Sequence, residues 1–234
     1  MENLFQFRER TGSFTRNSLP DISEGFCTNP GLEKKVDQKG RLIHFYGDTI
    51  VFLLEEENKM YADKMRNLLY ERCFEVFGDW LLKETFHVTL HDLSSGSSEQ
   101  ELQEKMEQNK KRSCEILRKI AQDPQKEIKM CTTYVFNMVN TSAVLGLEPA
   151  DETSCKKLME WYEMFHDVLP LPYALTPHIT LGYYKPGKYH TETVRKLSDV
   201  FEEINNMPKM EIVLKTENLV YQRFWTMNCF RSVL

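Results

Sequence analysis

Two histidines of the chain stand in the same local sequence, each followed by an apolar residue, a threonine and a leucine. The two tetrapeptides are His87-Val-Thr-Leu90 and His178-Ile-Thr-Leu181, and the chain has only six histidines in all. Alternate residues of a β-strand face the same side, so each tetrapeptide would present an imidazole and a hydroxyl group side by side. The sequence therefore nominates four catalytic residues: His87, Thr89, His178 and Thr180.

This set of side chains suits the chemistry of a phosphodiester. One neutral imidazole can take a proton from water or a hydroxyl group, and one protonated imidazole can give a proton to the departing oxygen, both near the ordinary pKa of about 6.5. The two threonine hydroxyls can donate hydrogen bonds to the non-bridging oxygens, where negative charge develops. Such a reaction uses proton transfer alone, so we expect no metal and no cofactor.

The segments around the two motifs predict the same order of secondary-structure elements, with each motif in the second strand of its unit. Thr49–Leu54 is a continuous apolar run, typical of a buried strand, and helical spacing follows from Met65 to Phe77. The second half repeats this outline with a strand at 142–147, a helical face at 158–168 and a strand at 177–184. His87 lies 38 residues after Thr49, and His178 lies 37 residues after Thr141. Two equivalent strand-helix-strand units predict an α/β sandwich with two pseudo-symmetric lobes.

The remaining pattern completes one domain at residues 39–234. It predicts an amphipathic helix at 102–120 that ends near Asp123-Pro124, a strand within 126–140, a helix at 194–204 and a closing strand at 210–214. Residues 1–38 combine turn-forming sequences with scattered apolar positions, so we expect an irregular N-terminal arm.

Composition excludes several classes of protein. With 41% hydrophobic and 28% charged residues and no apolar run of about 20 residues, the chain is expected to be globular, with no membrane association. Neither a signal peptide nor closely spaced cysteines occur, which predicts a cytoplasmic protein with reduced thiols. The net charge of −5 disfavours a protein that coats long duplex nucleic acid. We expect a monomer that binds a small anionic ligand.

Two H-x-T motifs 91 residues apart, each ending a strand-helix-strand unit, resemble those of the 2H phosphoesterase superfamily. The resemblance covers about residues 40–234, and Val36–Ile50 is also similar to the lead-in of a little-characterised bacterial branch. It implies an α+β fold, a bilobal sandwich whose antiparallel sheets surround a central cleft, and metal-free cleavage of a cyclic phosphate or a small nucleotide phosphodiester. It also implies that His178 is the base and His87 the acid, with the roles exchanged in transesterification.

Two further residues are candidates for substrate binding. His91 shares strand parity with His87, so it would reach the cleft as a phosphate or base contact, or else lie at the rim without a role. Tyr184 shares parity with His178 and would stack on a nucleobase, although a core tyrosine is the commoner case. His91-Asp92 also matches the dipeptide of HD metal phosphohydrolases, but that fold carries its ligands on helices. The loop Lys185–Lys188 either brings positive charge to the substrate or is a solvated turn.

The sequence leaves a second class of function open. A non-catalytic nucleotide-binding module, such as a sensor or sponge, would keep the fold without turnover. Two complete motifs favour the enzyme, because binding alone does not require two proton-transfer residues. The partner predicted in either case is a nucleotide or short oligonucleotide, and the sequence does not specify its base or linkage.

Overall fold

The computed structural model describes residues 2–15, 19 and 25–233. Within them the helices of eight or more residues are α1 (Leu4–Thr15), α2 (Glu56–Cys73), α3 (Glu99–Ala121), α4 (Glu152–His166) and α5 (Thr191–Asn205). The strands are β1 (Phe26–Cys27), β2 (Tyr46–Leu53), β3 (His87–Gly96), β4 (Glu127–Met138), β5 (Ser142–Pro149), β6 (His178–Tyr183), β7 (Lys188–Tyr189), β8 (Glu211–Lys215), β9 (Leu219–Thr226) and β10 (Cys229–Ser232).

The two predicted strand-helix-strand units are both present. The first is β2-α2-β3 and the second is β5-α4-β6, and in each unit the two strands pair antiparallel. The second strand begins with the motif histidine in both units. His87 pairs with Leu53 of β2, and His178 pairs with Gly146 of β5. The internal repeat read from the sequence therefore corresponds to a structural repeat.

The strands form two four-stranded antiparallel sheets. The first sheet has the order β10-β9-β2-β3 and the second has the order β6-β5-β4-β8, while β1 and β7 form a separate ribbon. β3 and β6 are edge strands of the two sheets and lie against each other. The α+β sandwich of two antiparallel lobes around a cleft is thus confirmed.

The helices cover the sheets, and α3 and α4 begin at polar side-chain caps. Ser98 accepts a hydrogen bond from the backbone N–H of Glu101 at the start of α3, and Asp151 accepts one from Ser154 at the start of α4. α3 packs on the first sheet, whereas α4 contacts strands of both sheets, including β3. The apolar side chains facing inwards from both lobes form one continuous core.

Two expectations about the chain ends are wrong. Leu4–Thr15 forms helix α1 instead of an irregular arm, and α1 packs on β4, β5 and α4; residues 16–18 and 20–24 of the same segment lie outside the described residues. The strand expected at 210–214 is β8, but it does not close the fold, because β9 and β10 follow and return to the first sheet. β9 pairs with β2 from Leu219 to Phe224, so the C-terminal strands complete the lobe that contains His87.

No helix among the described residues is long and apolar enough to cross a membrane. The single domain at residues 39–234 and the location of the protein in the cytoplasm stay predictions.

Candidate active site

The two H-x-T motifs face the same cleft. β3 and β6 lie beside each other, and a cleft of about 1100 Å³ is lined by residues of both. The cleft lining includes all four of the residues nominated by the motifs: His87, Thr89, His178 and Thr180. The structure therefore brings together at one site the side chains that the sequence places 91 residues apart.

A backbone carbonyl two residues earlier in the chain holds each histidine ring. Nδ1 of His87 lies 2.7 Å from the carbonyl oxygen of Thr85, and Nδ1 of His178 lies 2.7 Å from that of Thr176. Because a carbonyl oxygen only accepts hydrogen bonds, Nδ1 carries a proton in both rings. Proton exchange is then left to Nε2, which accepts a proton when the ring is neutral and donates one when the ring is charged.

The environment lowers the pKa of both imidazoles below the ordinary value of 6.5. Burial is the main cause at each ring, and the positive charge of His178 adds to it at His87. At His178 the added positive charge is that of Lys35. The carbonyl bonds and the negative charge of Asp92 oppose the lowering at both histidines. Both rings therefore titrate on the acid side of a free imidazole.

The two threonines of the motifs are half-buried in the cleft wall. No side-chain hydrogen bond within the described residues engages the hydroxyl group of Thr89 or Thr180. Each hydroxyl can therefore donate to an anionic oxygen bound between the two strands.

A β-bulge at the leucine of each motif changes which later residues face the cleft. In β3, Val51 pairs with Thr89 and Ile50 pairs with His91, so Leu90 is the extra residue. In β6, Leu181 is the extra residue in the same way, between Thr180 and Gly182. Since a bulge shifts the alternation of side chains by one position, the parity that His87 and His178 share with their motif threonines does not continue beyond them.

The two substrate-binding assignments based on that parity are wrong. His91 is only 1% exposed and packs against Tyr162 and His166 of α4, at ring-centroid distances of 5.2 and 5.3 Å. Tyr184 is 0% exposed and packs in the core between Phe26 and Phe77. Neither side chain lines the cleft.

His91 is a structural residue of the core. Its Nδ1 donates to the carbonyl oxygen of Asp92 at 2.7 Å, and burial lowers its pKa to about 4, so the ring is neutral. Within the part of the chain that the structure describes, no cluster of three or more histidine, cysteine or acidic side chains is arranged to hold a metal ion.

Asp92 and Tyr183, each five positions after its histidine, are among the residues that line the cleft after the bulges. Their side chains meet others that the motifs do not predict. The hydroxyl of Tyr173 donates to Asp92 Oδ2 at 2.9 Å, and the ammonium group of Lys35 lies 5.4 Å from the ring centre of Tyr183. Lys35 is the one lysine or arginine in the cleft lining formed by the described residues, whereas the loop 185–188 does not reach it.

Helix α1 supports the segment that holds His178. Arg10 donates from Nη2 to the carbonyl oxygen of Leu175 at 2.8 Å and from Nη1 to the hydroxyl of Thr176 at 3.4 Å. The same guanidinium makes two hydrogen bonds to the carboxylate of Glu2, at 2.8 and 2.9 Å. Thr176 in turn accepts the Nδ1–H of His178 through its carbonyl group. The N-terminal helix thus contributes to the position of a motif histidine.

Comparisons with known proteins agree with this arrangement at the level of fold. No family model and no curated protein matches the chain. Among solved structures, a conserved protein of unknown function, ATU0111 from Agrobacterium tumefaciens, is similar with a TM-score of 0.70 and 15% identity, over 93% of this chain and 98% of that one. TT0787 of Thermus thermophilus is similar with a TM-score of 0.50 and 14% identity, over 80% and 94% of the two chains.

Escherichia coli LigT in complex with 3′-AMP also matches, with a TM-score of 0.46 and 10% identity over 80% of this chain and 93% of that one. The α+β fold predicted from the sequence is confirmed, and ATU0111 and TT0787 share it. At these identities the comparisons concern fold alone, so the chemistry must be argued from the residues of this cleft.

Proposed function

We propose that the protein is a metal-independent phosphodiesterase that opens a cyclic phosphate or cleaves a small nucleotide or oligonucleotide phosphodiester. The observation that carries the proposal is that His87 and His178 have equivalent hydrogen bonds and face the same cleft. Each ring has its Nδ1 engaged by a backbone carbonyl, and both line one cleft together with a threonine hydroxyl from the same strand.

The proposed reaction needs only these groups and water. Nε2 of His178 takes a proton from water as the water oxygen bonds to phosphorus. The bond from phosphorus to the leaving ribose oxygen breaks, and that oxygen receives the proton from Nε2 of His87. The products are a phosphomonoester and a free hydroxyl group. His178 ends protonated and His87 neutral, and exchange with solvent restores both.

Lys35 and the two threonines complete the proposed site. The ammonium group of Lys35 lowers the pKa of His178, and the carboxylate of Asp92 raises it. Thr89 and Thr180 would donate to the non-bridging oxygens, whose negative charge increases in the transition state. Lys35 would add the long-range attraction that brings an anion into the cleft.

The experiment that tests the proposal is a substrate screen of purified protein in the presence of EDTA. The candidates are 2′,3′-cyclic mononucleotides, 2′–5′ and 3′–5′ oligonucleotides and cyclic dinucleotides. We expect turnover of at least one, with loss of that turnover in His87→Ala and His178→Ala. Activity that EDTA abolishes and a divalent metal restores would contradict the mechanism. Tight binding without turnover in the parent protein would favour the non-catalytic nucleotide-binding module.

A further inference from the structure

A carboxylate lies in the cleft that the proposed function assigns to an anion. The bulge at Leu90 turns Asp92 to the same side of β3 as His87 and Thr89, and its side chain is exposed in the cleft lining. Asp48, the other acidic residue of the lining, is instead buried and accepts hydrogen bonds from Asn109 and Tyr221. Asp92 is therefore the carboxylate that a bound phosphate would meet.

Asp92 lines the same cleft as both histidines. Tyr173, which donates to its Oδ2, belongs to the segment 171–176 that lines the cleft and ends at Thr176, the residue that holds His178. Along β3, Asp92 follows His87 and Thr89 on the cleft side. Its charge also acts on the pKa of both rings, which it raises. The negative charge of Asp92 therefore acts on the part of the cleft between the two imidazoles, where a phosphate would bind.

A fixed negative charge at this place distinguishes ligands by their charge. A phosphodiester carries one negative charge, whereas a phosphomonoester, with a second pKa near 6, carries almost two at neutral pH. The repulsion by a carboxylate therefore increases when the diester is hydrolysed to the monoester. The same carboxylate stabilises an imidazolium, and this favours binding of singly and doubly charged anions alike.

We propose that Asp92 is a specificity residue that admits singly charged phosphodiesters and disfavours doubly charged phosphomonoesters, so that product leaves the cleft. The inference rests on the proposed function, because it assumes that the phosphoryl group binds between His87 and His178. It adds to that function a reason for an acidic side chain in an anion site. Lys35, on the side of Tyr183, supplies the attraction that the first negative charge requires.

The test compares two small ligands that differ by one ester group. Dissociation constants of dimethyl phosphate and methyl phosphate are measured at about pH 7.5, where the monoester is almost fully dianionic. They are followed by NMR through the ring signals of the histidines in the full chain and in Asp92→Asn. The asparagine keeps the shape and can still accept from Tyr173. The quantity compared is the ratio of the two constants, because any effect on the histidines themselves acts on both ligands.

We expect Asp92→Asn to strengthen binding of methyl phosphate about fivefold more than binding of dimethyl phosphate, the effect of one screened unit charge at short range. Two controls separate charge from structure. Tyr173→Phe removes the hydrogen bond but keeps the carboxylate, and Asp199→Asn removes one charge from the exposed face of α5, outside the cleft. Both should leave the ratio unchanged.

An unchanged ratio in Asp92→Asn would overturn the inference and leave the proposed function standing. The same would follow if Asp199→Asn changed the ratio as much, because net charge and not position would then decide. A different result would show that the proposed function is wrong, namely turnover that does not depend on the two histidines.

Discussion

Replacing Tyr184 by phenylalanine should make the protein more stable and leave its activity unchanged. The Tyr184 hydroxyl is fully buried and has no hydrogen-bond partner among the described residues. An unsatisfied buried hydroxyl costs about 1–3 kcal/mol. Phenylalanine keeps the ring contacts to Phe26 and Phe77, at 5.4 and 5.5 Å, so most of that cost should return as an increase in the free energy of unfolding. For a domain of this size each 1 kcal/mol raises the Tm by about 2–4 °C.

Tyr189→Phe is the matched control, because the two tyrosines contact the same Phe26 ring. The Tyr189 hydroxyl donates to the carbonyl oxygen of Lys185 at 2.8 Å, so its removal should lower the free energy of unfolding by about 1 kcal/mol. Tyr184→Ala should lower it by about 3–5 kcal/mol through the cavity that it leaves. Urea unfolding measures all three. A destabilised Tyr184→Phe variant, or one with a changed kcat/KM, would refute the assignment of Tyr184 to the core.

Three further predictions concern the cleft. First, because burial lowers the pKa of His87 and His178 and one ring must be neutral while the other is charged, kcat/KM should be bell-shaped, with its maximum below about pH 6.5; a maximum above neutrality in a pH–rate profile would contradict this. Second, Thr89→Val and Thr180→Val keep the branched strand residue but remove the hydroxyl, so steady-state kinetics should show kcat/KM about 10²-fold lower, and full activity in both would exclude phosphate contacts. Third, Arg10→Ala should lower kcat about tenfold with KM little changed, as expected for a residue that only positions His178, and Arg10→Lys should recover part of the loss; a shift in KM alone would contradict that role.

Much of the site could be predicted because it repeats. The two H-x-T motifs, with His87 38 residues after Thr49 and His178 37 residues after Thr141, predict from the sequence alone that both histidines face one cleft. Short-range alternation in a strand then fixes the threonine beside each histidine. These are local rules, and they hold as far as Thr89 and Thr180.

The rules fail one residue later, at the two bulges. Alternation carried past Leu90 and Leu181 selects His91 and Tyr184, whereas the structure selects Asp92 and Tyr183. A signal for this was present after the first motif only. Apolar residues stand one, three and six positions after His87, and the gap of three between the last two is incompatible with uninterrupted alternation. The second motif gives no such signal, because a tyrosine stands at both the fifth and the sixth position after His178.

Other residues of the cleft could not be found by local reasoning. Lys35 comes from a segment before the first lobe, and Tyr173 comes from the loop before β6, so both reach the cleft only through tertiary packing. The hydrogen bonds that Arg10 donates to the segment before His178 depend on the packing of α1 against α4 and the second sheet. The C-terminal strands β9 and β10 show the same limit, since pairing with β2 joins segments far apart in the chain.

The central claim, that two histidines divide the proton transfer, is tested most directly by a double-mutant cycle. kcat is measured for the parent, His87→Ala, His178→Ala and the double variant on a substrate identified in the screen, with circular dichroism to confirm folding. Each single variant should lose about 10²- to 10⁴-fold, and the double variant little more than the weaker single, because losing either ring already stops the paired transfer. Single variants that turn over at the parent rate, or losses that simply multiply, would contradict the account.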